Sequence, residues 1–108
     1  MKLSSALKPK KRYLVFEVMA EKKFSMLDIE KVVFGALLTF LGELGVSRAT
    51  PLFVKGKNQK FVLKVNNKFV KEVISAVILI KNIKNTKVIV KSLIATGTIK
   101  KANTYLEK

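Results

Sequence analysis

The sequence predicts an α+β sandwich in which two helices cover one face of a four-stranded antiparallel sheet. Four segments alternate apolar and polar positions and are rich in β-branched and aromatic residues, as strands are. Two other segments repeat apolar residues at three- and four-residue steps, which is typical of amphipathic helices. Their order along the 108 residues is β-α-β-β-α-β, and this length suits a single domain.

The first strand and the first helix have the clearest patterns. Arg12–Val18 alternates between two faces and contains mostly β-branched and aromatic side chains, so it predicts a strand. Apolar residues from Ile29 to Leu44 then follow the helical repeat. Ser25 is a suitable N-cap and Gly45 a natural C-terminal stop, so we expect the helix to lie between them.

A hairpin is predicted after this helix. Arg48–Lys55 has strand composition, and Pro51 places it at an edge or a bulge because proline cannot donate to a strand ladder. Gly56–Asn58 has the residues of a hairpin turn. The alternating segment Lys60–Val65 is then the returning strand.

The remaining elements are a second helix, a last strand and a short C-terminal helix. Asn66 or Asn67 can cap the second helix, whose apolar repeat continues to Ile78. Lys87–Ala95 has the composition of the fourth strand. A threonine-glycine-threonine break follows it, and Ile99–Glu107 predicts a short basic helix.

The charge of the chain indicates the class of its partner. It contains 22 Lys and Arg against 7 Asp and Glu, which gives a formal net charge of +15. Such an excess repels itself in the folded state, so the expected reason for it is a polyanionic partner such as nucleic acid. Every cation except Arg12 and Arg48 is Lys, which favours diffuse attraction to phosphate over bidentate reading of bases.

The side chains that most enzymes use are missing. The sequence has no His and no Cys, which removes the commonest general base, the commonest nucleophile and the thiolate metal ligands. No pair of carboxylates has the spacing of a metal or acid–base site, and no phosphate-loop motif is present. We therefore expect no catalytic residue and no metal site. The lack of Cys and of a long apolar segment predicts a cytoplasmic protein.

The basic residues cluster, and these clusters are the predicted RNA contacts. Residues 1–11 predict a flexible basic arm, although a disordered end that only aids solubility has the same composition. Whether the clusters form one continuous surface is left open by the sequence. The candidate RNA-binding residues are Lys8, Lys10, Lys11 and Arg12 near the N-terminus, Lys55, Lys57 and Lys60 around the hairpin, and Lys100 and Lys101 after the last strand.

Some apolar residues lie outside the predicted core. A monomer rarely leaves a large apolar patch bare, so either the C-terminal segment or another subunit should cover them, and a homodimer is one alternative. Phe34 and Leu38 lie beside the core stripe of the first helix. Val62 and Ile89 lie on the sheet face away from both helices, among lysines. These four residues are the candidate partner interface.

Three segments resemble one known family. They are Lys11–Phe16 (KRYLVF), Leu41–Gly45 (LGELG) and Ala95–Lys101 (ATGTIKK), and the likeness runs from about Lys10 to Lys101. In this order and at these distances they resemble the archaeal ribonuclease P protein component 2 family, which also occurs in the eukaryotic ribonuclease P and MRP particles.

The resemblance implies a fold and a function. The fold would be an α/β sandwich like that of RNA-recognition motifs, which is also called ferredoxin-like. The function would be that of a protein subunit of ribonuclease P, which removes the 5′ leader from precursor tRNA. Cleavage would be performed by the RNA subunit with bound magnesium, and the protein would hold no cofactor. Its partners would be that RNA, ribonuclease P protein component 3 and other ribonuclease P proteins.

Two other functions are compatible with such a chain. One is a stand-alone basic module that binds RNA or protein and has no role in tRNA processing. The other is a small phosphate-handling enzyme such as an acylphosphatase, which has a ferredoxin-like fold and holds phosphate with an Arg and a glycine-rich loop. Neither Arg12 nor Arg48 lies in a loop of that kind.

Overall fold

A computed structural model of the chain describes residues 10–107, and these residues form a five-stranded antiparallel sheet with three helices. The strand order across the sheet is β2-β3-β1-β5-β4. The elements are β1 (Lys11–Ala20), α1 (Met26–Ala49), β2 (Leu52–Lys57), β3 (Lys60–Asn66), α2 (Val70–Ile78), β4 (Asn82–Ile83), β5 (Thr86–Thr96) and α3 (Ile99–Leu106), with a 3₁₀ turn at Asn67–Phe69 before α2.

The predicted β-α-β-β-α-β order is confirmed. β1 is central and pairs antiparallel with β3, from Lys11 opposite Asn66 to Glu17 opposite Lys60, and with β5 on its other side. The two-residue strand β4 was not predicted, because an element of that length has no alternation to detect. It forms a small hairpin with the start of β5.

The core lies between the sheet and the pair α1 and α2. Alternate residues of β1 and β3 point into it, and α1 contributes Ile29, Val33 and Leu37, which are almost completely buried. Three aromatic rings stack at its centre: Phe61 lies 5.3 Å from Phe16 and 5.4 Å from Phe53, between ring centroids. Stacked rings of this kind add to the free energy gained by burial alone.

The first helix ends later than predicted. Ser25 caps it as expected, since its Oγ accepts a hydrogen bond from the backbone N–H of Asp28. The prediction of a stop at Gly45 is wrong: the helix kinks at Gly42, whose φ of 74° is allowed for glycine, and then continues to Ala49. Arg48 consequently lies in α1 and not in the second strand.

The hairpin turn begins two residues later than predicted, at Asn58 and not at Gly56. Its central residues are Asn58 and Gln59, both with positive φ, which is the geometry of the two-residue turns that match strand twist. Gly56 instead belongs to β2, where a Cβ atom would overlap the side chain of Met26. β2 is the edge strand that Pro51 predicted.

The predicted C-terminal helix is confirmed, and it lies on the face of the sheet away from α1 and α2. Thr98 caps α3 by accepting a hydrogen bond from the N–H of Lys101. Ala102 and Leu106, on the inner side of α3, pack against Val15 and Val62 of the sheet in a second apolar cluster. The prediction that Val62 is exposed is therefore wrong: its exposed fraction is 0%, because the apolar side of α3 covers it.

An ion pair joins the end of α3 to the hairpin. Glu107 Oε2 lies 2.7 Å from Lys57 Nζ, and this hydrogen bond holds the pKa of Glu107 below its ordinary value. Because the pKa is lower in the folded than in the unfolded chain, the contact stabilises above the unfolded pKa and is lost as pH falls through the folded pKa. Both side chains are more than half exposed, so solvent screens the pair strongly.

We expect Glu107→Gln to lower the amide protection of the last turn of α3 by a factor of about two, with little change in the melting temperature. Hydrogen exchange measured by NMR checks this at neutral pH. At a pH below the folded pKa of Glu107, the variant and the original chain should be alike. Asp28→Asn is the matched control, because it removes another carboxylate that pairs with a lysine, Lys84, and should leave α3 unaffected. Equal protection of α3 in the Glu107→Gln variant and in the original chain at neutral pH would show that the Lys57–Glu107 ion pair does not stabilise α3.

Candidate nucleic-acid interface

Cations from several elements meet where β1 begins. At this end of the sheet β3 and β5 terminate, α1 ends, and α2 and α3 begin, so residues distant in sequence become neighbours. We call this surface the basic end and define it by six residues. They are Lys10, Lys11, Arg12, Arg48, Lys68 and Lys71.

Two asparagines connect these residues. The backbone N–H of Asn67 donates to the carbonyl of Lys10 at 2.8 Å, and the Asn67 side-chain oxygen accepts from Nε of Arg12 at 3.0 Å. Asn66 donates its side-chain amide to the carbonyl of Arg48 at 3.3 Å. Both asparagines lie in the connection from β3 to α2, so this connection fixes the strand start and the end of α1 against each other.

A groove of about 460 Å³ opens beside Arg12. Lys68, Lys71 and Asn67 line it together with Arg12, and Glu72 is the carboxylate in its wall. Excess positive charge around a concave surface raises the local concentration of anions. The groove therefore suits the phosphates of a polyanion better than a neutral ligand.

Arg12 is held from two sides. Asn67 accepts from its Nε, and the backbone of Gly97 approaches so closely that a Cβ atom there would lie 2.8 Å from Nη1 of Arg12. The guanidinium consequently has a defined position while other donors remain for a ligand. Glycine at position 97 allows this approach, and alanine would push the guanidinium aside.

Two helices begin at or beside the basic end with lysines near their N-termini, and α2 also has Glu72 in its first turn. Lys68 and Lys71 lie at the start of α2, and Lys100 and Lys101 lie in the first turn of α3, which contains no acidic residue. A helix N-terminus carries partial positive charge and favours anions, so added cations there are unfavourable in the free chain. A bound phosphate reverses the sign of this effect, since it is attracted both to the helix ends and to the lysines.

The hairpin cluster lies elsewhere. Lys55 and Lys57 are exposed at the opposite end of the sheet, near the end of β1. Arg12 and Glu17 are five positions apart along β1, which is roughly 17 Å of strand. The basic clusters therefore form two separate surfaces, and Lys57 is engaged with Glu107 at the second one.

Lys60 is not the exposed cation that its position in the sequence predicted. Its exposed fraction is 7%, and it lies opposite Glu17 in the β1–β3 register. Lys60 is therefore not part of a surface that could contact RNA. Lys8 and most of the predicted basic arm, residues 1–11, lie outside the described residues. Of that arm, Lys10 is exposed, and Lys11 begins β1 and donates from Nζ to Oγ1 of Thr50 at 2.6 Å.

Three members of the basic end were missed by the sequence analysis. Lys68 and Lys71 have a detectable signal, because two lysines three residues apart follow an Asn-Asn cap at a helix start, where acids are preferred. Arg48 was missed because it was assigned to a strand that begins later, at Leu52. Its place at the basic end depends on the extension of α1 beyond Gly42.

The four predicted interface residues have different environments. Leu38 and Ile89 are exposed, at 49% and 63% of their surface. Phe34 is half-buried against the core, and Val62 is completely covered by α3. Two further apolar side chains, Phe40 and Leu79, are about half exposed and line a groove of about 550 Å³ between α1 and α2.

Two further features concern metals and membranes. Within residues 10–107, no group of three or more acidic, His or Cys side chains is placed to hold a metal ion. Among the helices in the same range, none combines the length and the apolar character that crossing a membrane requires.

Comparison with known proteins identifies relatives over almost the whole described fold. A family model described as the Rpp14/Pop5 family matches residues 12–107. The chain is 39% identical over 101 residues to ribonuclease P protein component 2 of Thermococcus kodakarensis and 35% identical to that of Pyrococcus furiosus; each alignment covers 92% of this chain and 84% of the relative. A chain in the cryo-EM structure of yeast ribonuclease MRP has the same fold, with a TM-score of 0.69, 11% identity and 93% of both chains covered. The chain therefore belongs to the Rpp14/Pop5 family.

Proposed function

We propose that this chain is a protein subunit of ribonuclease P, the ribonucleoprotein that removes the 5′ leader from precursor tRNA, and that it binds the RNA subunit through the basic end. The relatives named ribonuclease P protein component 2 support the role. The observation that carries the binding site is the position of Arg12, which is bonded to Asn67, shares a groove with Lys68 and Lys71, and lies against Gly97 just before α3.

Binding at this surface acts on the RNA backbone. Lysines on a groove attract phosphates without reading bases, and such contacts fix position and not sequence. Arg12, held by Asn67, provides a planar donor set that can bind one phosphate with two hydrogen bonds. The chain therefore recognises the shape and charge of a folded RNA, as proteins that bind double-stranded RNA do.

The chain assists the reaction without performing it. In this proposal the RNA subunit cleaves, and magnesium held by that RNA would supply the activation of water. The protein contributes positive charge that lowers the repulsion between RNA phosphates brought close together. This division of labour agrees with a sequence that has neither His nor Cys to move protons or form covalent intermediates.

A reconstituted cleavage assay tests this role. Purified chain with magnesium and precursor tRNA should give no mature 5′ end, whereas the ribonuclease P RNA with its full set of proteins should. Omitting this chain from the complete mixture should lower the cleavage rate at limiting magnesium. Cleavage by the chain alone, after nuclease treatment of the preparation, would refute the proposal. An unchanged rate on omission, with RNA binding intact, would instead support the stand-alone RNA-binding module.

We further propose that ribonuclease P protein component 3 binds the exposed apolar residues of α1. Leu38 is half exposed, so a partner that buries the rest of its side chain gains about 1 kcal/mol. Phe40 and Leu79 form a second exposed apolar surface, at the groove between α1 and α2.

We expect Leu38→Lys to weaken association with component 3 by roughly tenfold or more, with an unchanged melting temperature. Isothermal titration calorimetry measures the first quantity, and sedimentation velocity reports whether the variant alters self-association instead. Phe34→Lys should behave differently, because Phe34 packs against the core and its replacement should lower the melting temperature. Normal binding of component 3 by Leu38→Lys would show that this part of α1 is not the interface.

A further inference from the structure

The outer edge of β5 is open along most of its length. β4 pairs only with Thr86 and Lys87, and the N–H of Val88 donates outward to the carbonyl of Lys81 at 2.9 Å. Because backbone groups alternate in direction along a strand, the N–H and C=O of Val90 also point outward. Within residues 10–107, no strand pairs with Val90 on that side.

An apolar groove accompanies this edge. It has a volume of about 820 Å³, and its walls include Ile78 on the helix side of the sheet and Ile89 on the opposite side. Met19 lies directly opposite Ile89 in the β1–β5 register. All three side chains are at least 44% exposed. Because residues from both faces of β5 line the groove, it follows the edge of the strand and is not confined to one face.

The charges around the groove have predominantly one sign. Lys81 and Lys87 line it, and Lys91 lies two residues beyond Ile89, on the same face of β5 as Lys87. The carboxylates nearby are Glu21 in the groove wall and Glu17, which lies opposite Lys91 in the β1–β5 register, so lysines remain in the majority. An occupant with acidic side chains would therefore be attracted.

We propose that the open edge of β5 binds an extended, acidic segment of a partner protein, which adds to the sheet as a further strand. The outward N–H and C=O groups of Val90 would pair with its backbone. The groove would accept its apolar side chains, and Lys87 and Lys91 would pair with its carboxylates. This inference does not depend on a role in ribonuclease P.

The same observations disfavour three other occupants. A second copy pairing antiparallel around Ile89 would place Lys87 opposite Lys91 of the other chain, and like charges directly opposite are destabilising. Residues 1–9 of this chain contain Lys2 and Lys8 and no acid. RNA offers no counterpart to an alternating row of amide and carbonyl groups beside exposed isoleucines.

The test uses the full chain and synthetic peptides as probes, observed by NMR and hydrogen exchange. A short peptide in which Glu alternates with Val or Ile should shift the amide signals of β5 and raise the protection of the Val90 amide by roughly tenfold or more. The same peptide with a central proline should lose most of its affinity, because proline cannot complete the ladder. Lys87→Glu with Lys91→Glu should weaken binding about tenfold, whereas Lys68→Glu with Lys71→Glu, an equal charge change at the basic end, should retain it.

Several results would overturn the inference. Equal binding of the proline peptide, or binding without protection of Val90, would show charge attraction alone. Protection of Val90 that grows with protein concentration in the absence of peptide would identify a second copy as the occupant. Protection produced by RNA, or no binding by any of the acidic peptides, would also exclude an acidic strand.

Discussion

Replacing Phe61 with alanine is expected to lower the free energy of unfolding by about 3–5 kcal/mol. Phe61 is completely buried and stacks on both Phe16 and Phe53, so truncation removes two ring contacts and leaves a cavity at the centre of the core. Domains of this size are stable by about 5–15 kcal/mol, so the variant should be close to unfolding at physiological temperature. Chemical denaturation followed by circular dichroism gives the difference directly.

Phe40→Ala is the matched control, because it removes the same atoms from a ring that is 50% exposed on α1. We expect this change to cost less than about 1 kcal/mol, since much of the ring is already in water and no cavity forms. If the two variants lost equal stability, the assignment of Phe61 to the centre of the core would be wrong. A small loss for Phe61→Ala alone would mean that the three-ring stack contributes little.

Neutralising the basic end is expected to lower affinity for the ribonuclease P RNA by about 100-fold at moderate salt. The variant is Arg12→Gln, Lys68→Gln and Lys71→Gln, which removes the charges around the groove beside Arg12. Three phosphate contacts, each contributing on the order of 1 kcal/mol, give a loss of this size. Filter binding or fluorescence anisotropy at fixed ionic strength measures it.

The control for that variant has the same charge change at the other end of the sheet. Lys55→Gln, Lys57→Gln and Lys91→Gln removes three exposed lysines near the hairpin and along β5. We expect affinity to fall by no more than about threefold, because only the long-range field changes. Similar losses in both variants would mean that net charge, and not the basic end, determines RNA binding.

The sequence predicted the elements whose patterns are local. β1 and β3 alternate, α1 repeats its apolar residues, and the core residues follow from both. The errors of the sequence analysis arose where contacts with a distant part of the chain determine the local structure. Gly42 and Gly45 both lie near the predicted end of the helix, but the chain kinks at Gly42 and continues as a helix, with Val46 and Ala49 packed against the core. Gly56 resembles a turn residue, but it lies in β2, where the absence of a Cβ atom leaves space for the side chain of Met26.

The face covered by α3 shows the same limit. Alternation correctly placed Val62 on the side away from α1 and α2, but it could not show that a later helix returns over that side. Ile89 is on the same face of the sheet and remains exposed, because α3 covers the part near Val15 and does not reach it. Exposure at these positions is a property of tertiary packing and not of the strand pattern.

The candidate site was only partly predictable for a related reason. Sequence proximity grouped Lys10, Lys11 and Arg12 correctly, but it could not bring Lys68 to Arg12 without the β1–β3 register. Lys60 is buried in the folded chain, although its position beside the hairpin lysines predicted an exposed cation. Charge composition predicted the class of partner, and topology was needed to locate the surface.

The most direct test of the central claim is the salt dependence of binding to the ribonuclease P RNA. The logarithm of affinity should fall linearly with the logarithm of salt concentration, with a slope of roughly −0.9 for each phosphate contact in duplex regions. For the Arg12→Gln, Lys68→Gln and Lys71→Gln variant, we expect a slope shallower by roughly 2.7. The control variant with Lys55→Gln, Lys57→Gln and Lys91→Gln should keep the original slope. An unchanged slope in the basic-end variant, with normal folding, would contradict the assignment of this surface to RNA.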